Sequence, residues 1–203
     1  MSFQPAPETQ QPAEFAFDAA NLAKTKEIIA RYPEGRQASA VMPLLDLAQR
    51  QSGGWLPRAA MDHVAERLEM PRIRVYEVAT FYTMYNLAPV GRHLVQVCTT
   101  TPCWLRGSDE VLSACARKLG VEPGQSTADG QFTLLEVECL GACVNAPMMA
   151  IGKDYYEDLD AASTEAILDA LAKGGEPTAG SQKGRQSSEP FGGPTTLKET
   201  EGA

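Results

Sequence analysis

The sequence predicts an α+β protein in which a small helical bundle precedes a mixed β-sheet with helices packed against it. In the first half of the chain, apolar residues recur every three to four positions, which is typical of amphipathic helices. After Pro89 and Gly91 the pattern changes to short apolar runs of the β type that alternate with helical segments. The 203 residues are enough for one ordinary domain, or for a small domain with a helical appendage.

Composition and charge argue against several classes of function. Hydrophobic residues make up 43% and charged residues 22% of the chain, close to globular averages, so we expect a folded core. A net charge of −8 repels phosphate backbones and anionic lipid, which argues against nucleic acid as a partner. No apolar run approaches the ~20 residues needed to cross a bilayer. The N-terminus lacks the features of a targeting peptide, and we therefore expect the chain to stay in the cytoplasm.

Four helices are predicted in residues 18–86. The first begins at Asp18, the second ends at Gly53, and the third and fourth begin at Pro57 and Pro71. The apolar residues expected to be buried in the second, third and fourth helices are Val41, Leu44, Leu45 and Ala48; Met61, Val64, Ala65 and Leu68; and Val75, Val78, Ala79 and Tyr82. Short helices must bury such stripes against one another, which predicts a helical bundle.

The second half of the chain has the predicted element order β-α-β-β-β-α. The strands are expected at residues 94–98, 132–138, 148–151 and 155–157, and the helices at residues 108–119 and 163–173. The first of these helices is expected to be capped by Ser108 and to bury Leu112, Cys115, Ala116 and Leu119. This order predicts a small mixed sheet with helices against it, in a thioredoxin-like layer arrangement.

These elements divide the chain into four parts. Residues 1–17 are predicted to be a flexible N-terminal arm, residues 18–86 the helical bundle, and residues 87–173 the sheet domain. Residues 174–203 contain seven Gly and three Pro. They are predicted to form an extended tail, because a segment of this composition cannot build a core.

The tail has the features of a segment that becomes ordered on a partner. Phe191 and Leu197 are isolated apolar residues near basic residues such as Lys183 and Arg185, in an otherwise acidic protein. A segment of this kind loses entropy when it binds but gains a large contact area. We expect deletion of residues 180–203 to leave the rest of the chain folded and its metal site intact, and to weaken binding to a partner.

Four cysteines form two pairs with the spacing of a metal site. Cys98 and Cys103 enclose four residues, Cys139 and Cys143 enclose three, and each pair begins at the end of a predicted strand. If the two strands are neighbours, about 4.8 Å apart, the four sulfurs can converge at one edge of the sheet. Four thiolates suit either Zn²⁺ or an iron–sulfur cluster. Loops of four and three residues favour a [2Fe–2S] cluster and leave zinc as an alternative.

Two other classes of protein compete with an electron carrier. A zinc-stabilised interaction module would use the same four cysteines without redox chemistry. A dithiol oxidoreductase on a thioredoxin-like fold would need the C-x-x-C motif, which this sequence lacks, and would leave Cys139 and Cys143 without a role. Within the loops, Gly141 would let a backbone N–H approach sulfur, and the threonines at 99–101 either donate to sulfur or only form a turn.

The remaining candidate residues are interpreted as structural. Cys115 lies on an apolar helix stripe and is expected to be an inert core thiol. His63 and His93 are not in the paired setting of a Rieske centre, so neither is predicted to be a ligand and both are expected to be ordinary surface or turn residues. Trp104 either covers the metal site, faces a partner or packs in the core. No phosphate-binding loop or nucleophilic triad is found in the sequence, so no residue is predicted to be catalytic.

Charged residues near the cysteines predict a low reduction potential. Glu136 and Glu138 precede Cys139 and disfavour an added electron, while Arg106 and Arg117 are expected to offset them partly. We therefore expect a cluster here to have a potential below that of a His-ligated Rieske centre.

Two long segments resemble a known family. CTTTPCWLRGS (98–108) and EVECLGACVNAPMM (136–149) resemble the 24-kDa subunit of respiratory complex I, the proton-pumping NADH:quinone oxidoreductase. The resemblance extends from Asp18 through ATFYTMYNLAPVGRH (79–93) to GRQSSEPFGGPTTL (184–197). The looser C-x4-C and C-x3-C pattern is also similar to the equivalent subunits of NAD-linked formate dehydrogenases and hydrogenases.

The resemblance implies a fold, a cofactor and partners. It implies a helical N-terminal region, a thioredoxin-like ferredoxin domain, and one [2Fe–2S] cluster held by Cys98, Cys103, Cys139 and Cys143. The cluster would exchange single electrons with FMN, off the main path to quinone. FMN and NADH would be bound by the partner subunit and not by this chain. The chain would lie among peripheral-arm subunits, on the cytoplasmic side of a bacterial inner membrane and without inserting into it.

Overall fold

The computed structural model describes residues 5–190, 192, 193 and 196. The chain divides into two compact units at the junction between Arg92 and His93. The first unit is helical and the second contains the sheet. The boundary predicted from the sequence lies between residues 86 and 87, and the division into four parts stays a prediction.

The helical unit contains the four predicted helices. They are α1 (Ala19–Ile29), α2 (Val41–Gln51), α3 (Arg58–Arg67) and α4 (Arg72–Phe81). Asp18 caps α1 because its side chain accepts a hydrogen bond from the backbone N–H of Asn21 at 2.7 Å. Pro57 and Pro71 occupy the caps of α3 and α4, where a missing N–H costs no helical hydrogen bond.

The core of this unit is formed by the predicted apolar stripes. Leu44, Leu45 and Ala48 of α2 are fully buried against Val64 of α3 and Val75 of α4. Complete burial of each large apolar side chain contributes about 1.5 to 3 kcal/mol relative to exposure. The helices therefore stabilise one another rather than standing alone.

One predicted core residue of the helical unit is at the surface. Tyr82 follows the last residue of α4, where the backbone turns to an extended conformation, and its exposed fraction is 40%. The helical stripe does not continue past this change of conformation. Tyr85 occupies the core instead, and its hydroxyl donates to the backbone oxygen of Met42 at 2.9 Å.

The second unit is a five-stranded mixed sheet with helices. Its elements in chain order are β1 (His93–Cys98), α5 (Thr101–Leu105), α6 (Ser108–Leu119), β2 (Phe132–Val137), β3 (Met149–Ile151), β4 (Asp154–Glu157), α7 (Ala161–Ala172) and β5 (Gly180–Ser181). The spatial order is β2-β1-β3-β4-β5. β1 runs parallel to β2 and antiparallel to β3, which forms a hairpin with β4. β5 adds to the far edge, parallel to β4.

Helix α6 buries a different stripe from the one predicted. The fully buried apolar residues are Val111, Ala114 and Cys115, whereas the predicted Leu112 and Leu119 are only partly buried. Helix α6 contacts β1 and β2 as well as α7, so its buried face is wider than one stripe. The centre of this face lies about one residue earlier in the sequence than the predicted stripe. The capping position also differs, because Gly107 with φ +95° precedes the helix and Ser108 is its buried first residue.

The short helix α5 replaces a predicted loop. Thr100 occupies its N-cap and Pro102 lies in its first turn, where the fixed φ of proline suits a helix. A helix of five residues is too short to show a period in the sequence. Its presence places Cys103 on a helix rather than in a loop.

Part of the predicted tail lies along the sheet unit. β5 pairs with β4, and the backbone N–H of Gln182 donates to the oxygen of Glu157 at 2.9 Å. Phe191 and Leu197, the apolar residues on which the tail hypothesis depends, lie outside the described residues. Among the helices described, none has the length and apolar character to cross a membrane.

Replacing Cys115 by Ser tests the core of the sheet unit. Cys115 is fully buried on α6, and burial raises the pKa of its thiol to about 12. A Ser hydroxyl here is buried among apolar groups, so we expect the free energy of unfolding to fall by about 1 to 3 kcal/mol. Urea denaturation measures this, with Cys115→Ala as the variant that adds no polar atom. Equal stability of the Ser variant and the original chain would contradict this placement.

Candidate metal centre

The two cysteine pairs lie at one edge of the sheet because their strands are parallel neighbours. Cys98 is the last residue of β1 and is opposite Val137, the last residue of β2. Cys139 follows β2 by two residues. Parallel strands end on the same side of a sheet, so the segments that leave β1 and β2 meet there. The predicted convergence of the four sulfurs requires β1 and β2 to be neighbours, and in the structure they are.

Within each pair the thiols are in contact. The thiols of Cys98 and Cys103 share a hydrogen bond, and the Sγ atoms of Cys139 and Cys143 are 3.6 Å apart. The pairs also interact with each other, since Cys143 lies within electrostatic range of Cys98 and Cys103. All four are free thiols; Cys98 and Cys103 are buried, and Cys139 and Cys143 are exposed.

Hydrogen-bond donors point at the sulfurs. The backbone N–H of Gly141 donates to Sγ of Cys139 at 3.4 Å, and Gly141 has φ +87°, a conformation that glycine adopts without strain. The hydroxyl of Thr100 lies 3.3 Å from Sγ of Cys98. The hydroxyl of Thr99 instead donates to Glu136 at 2.7 Å. Of the threonines at 99–101, Thr100 is therefore the one whose hydroxyl contacts a cysteine sulfur.

Burial and hydrogen bonds divide the first pair into one easily ionised thiol and one resistant thiol. Burial alone would raise the pKa of Cys98, but hydrogen bonds from Thr100 and Cys103 outweigh it and lower the pKa. Burial, together with the adjacent Cys98, raises the pKa of Cys103 to about 12. Metals bind thiolates, so occupation of this site must release protons.

The second pair is on residues 139–147, which we call the cysteine loop; its regular structure is a single turn of 3-10 helix at Cys143–Asn145. The hydroxyl of Tyr155 donates to the backbone oxygen of Leu140 at 3.0 Å. The backbone N–H of Asp158 donates to the oxygen of Asn145 at 2.8 Å. Polar contacts with the β4 segment thus hold a loop that has little regular structure of its own.

Large apolar side chains next to two of the cysteines in the sequence are exposed. Trp104 and Leu105 follow Cys103, Val144 follows Cys143, and their exposed fractions are 58%, 70% and 66%. We call these three residues the apolar rim. Trp104 therefore does not pack in the core of this chain, which removes one of its predicted interpretations.

The charges around the site differ from those expected. Arg117 pairs with Glu165 of α7 at 3.8 Å and does not offset the acidic residues before Cys139. Arg106 lines a cavity of about 400 Å³ beside the cysteine loop. Arg185, which the sequence analysis treats only as part of the tail, donates to the backbone oxygen of Val144 at 3.0 Å. A single arginine in a polar segment carries no sequence signal for such a contact.

The two histidines lie in aromatic contacts. His63 belongs to the helical unit, where its ring meets Phe15 and Phe17 edge-on. The ring of His93 packs against Phe132 with ring centres 5.2 Å apart. Both residues are half-buried and pack against aromatic rings, whereas the sequence predicts ordinary surface or turn residues.

The donor set fits a [2Fe–2S] cluster. With metal–thiolate bonds of ~2.3 Å, two sulfurs on one tetrahedral metal are ~3.8 Å apart, close to the separation of Cys139 and Cys143. The thiols form two pairs, which suits a cluster in which each pair binds one of two iron atoms. N–H and O–H donors toward sulfur also suit the negative charge of a thiolate-bound cluster.

Residues 25–172 match the family described as thioredoxin-like [2Fe-2S] ferredoxin. This chain belongs to that family. The predicted fold class, a helical region followed by a thioredoxin-like ferredoxin domain, is confirmed. The cofactor is one [2Fe–2S] cluster, which is confirmed against the zinc alternative, and FMN is not bound by this chain.

The curated relatives narrow the branch of the family. The chain is 59% identical over 157 residues to the E subunit of the NADH-quinone oxidoreductase of Rickettsia bellii, in an alignment that covers 77% of this chain and 94% of the relative. It is 53% identical over 186 residues to the mitochondrial NADH dehydrogenase [ubiquinone] flavoprotein 2 of Dictyostelium discoideum, in an alignment that covers 91% of this chain and 75% of the relative. The resemblance to the complex I subunit and its electron-transfer function is confirmed.

A solved structure supports the fold. An NAD⁺-reducing [NiFe]-hydrogenase superimposes with a TM-score of 0.55 and 21% identity over 64% of this chain. The match spans 23% of the hydrogenase chain. At this identity the likeness concerns the fold alone, so the alternative of a hydrogenase subunit is weaker than the complex I branch.

Removing an acidic side chain beside the site is expected to raise the reduction potential. A carboxylate ~10 Å from the cluster lowers the potential by at most about 70 mV at an effective dielectric of ~20, and salt screens it further. We expect Glu138→Gln to shift the midpoint upward by part of this amount. Redox titration followed by EPR measures the shift.

Glu165→Gln is the matched control, because this carboxylate pairs with Arg117 on the helices rather than beside the cysteines. Its midpoint should equal that of the original chain. Equal upward shifts in both variants would show that the effect comes from net charge and not from Glu138.

Proposed function

We propose that Cys98, Cys103, Cys139 and Cys143 hold the cluster, and that this chain exchanges single electrons with the FMN of a partner subunit that binds NADH. The observation that carries the proposal is the meeting of two thiol pairs at one edge of the sheet. The names of the relatives, which refer to NADH and to quinone, support the assignment to such an assembly. When bound, the cluster accepts and releases one electron at a time.

The residues of this chain hold the cluster and shape its surroundings. Burial of Cys98 and Cys103 keeps water away from one side of the site. The N–H of Gly141 and the hydroxyl of Thr100 stabilise negative charge on sulfur. The exposed side, with Cys139, is open to a partner.

Catalysis belongs to the assembly in this proposal. FMN and NADH bind to the partner subunit, and quinone is reduced elsewhere in the complex. Adjoining subunits of a peripheral arm complete the surroundings of this chain. The proposed location is the cytoplasmic side of a bacterial inner membrane. Relatives named as complex I subunits support this arrangement.

Replacing single cysteines tests the ligand set. We expect Ser at position 98, 103, 139 or 143 to abolish or grossly alter the EPR spectrum of the reduced chain, because a hydroxyl is a much weaker ligand for iron than a thiolate. Cys115→Ser is the matched control, since it removes a thiol of the same domain that lies in the core. Its spectrum should be unchanged.

Iron and sulfide analysis of the purified chain completes this test. Equal amounts of iron and acid-labile sulfide, with visible absorbance, are expected. A colourless chain that contains zinc, or an unchanged spectrum in Cys139→Ser, would contradict the proposal.

Truncation after Pro190 tests the tail without disturbing the site. The shortened chain keeps β5 and Arg185 with their contacts to the sheet unit. We expect its EPR spectrum to match that of the full chain, while its co-purification with the FMN-binding subunit decreases, because two apolar anchors are lost. A full-length chain with both Phe191→Ser and Leu197→Ser lacks the two apolar anchors but keeps the length of the tail. It therefore separates the effect of the anchors from that of tail length. Equal recovery of all three chains at the same salt concentration would show that the anchors are dispensable.

A further inference from the structure

One buried ion pair lies between the C-terminal part of the sheet unit and the end of β4. Its arginine also contacts the cysteine loop. Arg185 and Asp158 form this pair, and their side chains are 10% and 6% exposed. Nε and Nη2 of Arg185 donate to the two carboxylate oxygens of Asp158 at 2.9 Å and 2.6 Å. This is a bidentate arrangement, the strongest geometry for an arginine–carboxylate pair.

The same guanidinium also reaches the loop. Nη2 of Arg185 donates to the backbone oxygen of Val144 at 3.0 Å, and Nη1 donates to the oxygen of Glu189 at 2.8 Å. Val144 is the residue immediately after Cys143. One planar group thus joins the end of β4, the C-terminal segment and the backbone beside a cysteine.

Neighbouring contacts reinforce this junction. We call residues 180–190 the C-terminal strap. Asn145 in the cysteine loop donates through Nδ2 to the strap oxygen of Ser187 at 2.8 Å. Ser181 of the strap donates to Asp158 at 2.6 Å, and the backbone N–H of Asp158 donates to Asn145. The strap therefore contacts the loop directly, through Asn145, and indirectly, through Asp158.

The pair is ionised at neutral pH. Burial alone would raise the pKa of Asp158, but hydrogen bonds from Arg185 and Ser181 outweigh it and keep the pKa below its ordinary value. A charged, bidentate and buried pair is rigid, which is the property needed to fix a neighbouring backbone atom.

We propose that Arg185 is a positioning residue for the cluster: by fixing the backbone oxygen of Val144, it holds Cys143 in place for metal binding. This inference rests on the proposed role of Cys143 as a ligand. It assigns the strap to the metal centre and predicts that deletion of residues 180–203 alters the site, whereas the sequence alone predicts that the site stays intact. Partners outside the ligand shell commonly change metal affinity by about 10- to 100-fold.

Arg185→Lys in the full-length chain tests the proposal. The ammonium keeps the charge beside Asp158 but lacks the fork that also reaches Val144. We expect iron release to a chelator to become about tenfold faster, with altered g-values and a shifted midpoint potential. Arg117→Lys is the matched control, because it changes an arginine in an exposed ion pair on α6. Its three readouts should equal those of the original chain.

A second variant removes the buried charges together. Asp158→Asn with Arg185→Gln leaves no unpaired charge, so the sheet unit is expected to fold, and it should show the same faster release and altered spectrum. Original values in both Arg185 variants would overturn the proposal. Cys143→Ser in the same assays tests the ligand assignment separately from the positioning role of Arg185. If this variant leaves the spectrum unchanged, the ligand assignment itself is wrong.

Discussion

The parallel pairing of β1 with β2 is the constraint on which the metal centre depends. Its register sets Cys98 opposite Val137, so both cysteine segments leave the sheet at the same edge. A shift of one residue would turn every side chain of the strand to the other face. The register is supported by the buried side chains of Val95, Val97 and Leu134 in the core of the sheet unit. The geometry of the site is therefore a consequence of core packing.

The two halves of the centre are stabilised by different forces. Cys98 and Cys103 are buried, and they are held by a strand end and by the short helix α5. Cys139 and Cys143 of the cysteine loop are exposed, and hydrogen bonds from the side chains of Tyr155 and Arg185 and from the backbone N–H of Asp158 to its backbone oxygens hold the loop. Burial protects Cys98 and Cys103 from water. Polar contacts support the cysteine loop while its cysteines stay accessible. A centre that must both retain a cluster and exchange electrons needs both halves.

Features with a local pattern could be predicted from the sequence, and features made by long-range polar contacts could not. The helix stripe of Leu44, Leu45 and Ala48 follows from its period, and the two cysteine pairs follow from their spacing. Helix α5 is too short to show a period. The contact between Arg185 and Asp158 joins residues 27 apart through side chains that are ordinarily exposed. Nothing in a sequence distinguishes such an arginine from a solvated one.

The apolar rim explains why this centre belongs in an assembly. Exposed large apolar side chains are unfavourable in water, yet Trp104 and Leu105, which follow Cys103, and Val144, which follows Cys143, are all exposed. Contact with a partner would bury this surface and remove water from the open side of the cluster, which lowers the local dielectric constant. The charges of the residues around the site would then act on a cluster more strongly than they do in water. In the proposed assembly, a partner that covers the exposed cysteine pair would bury Val144 with it.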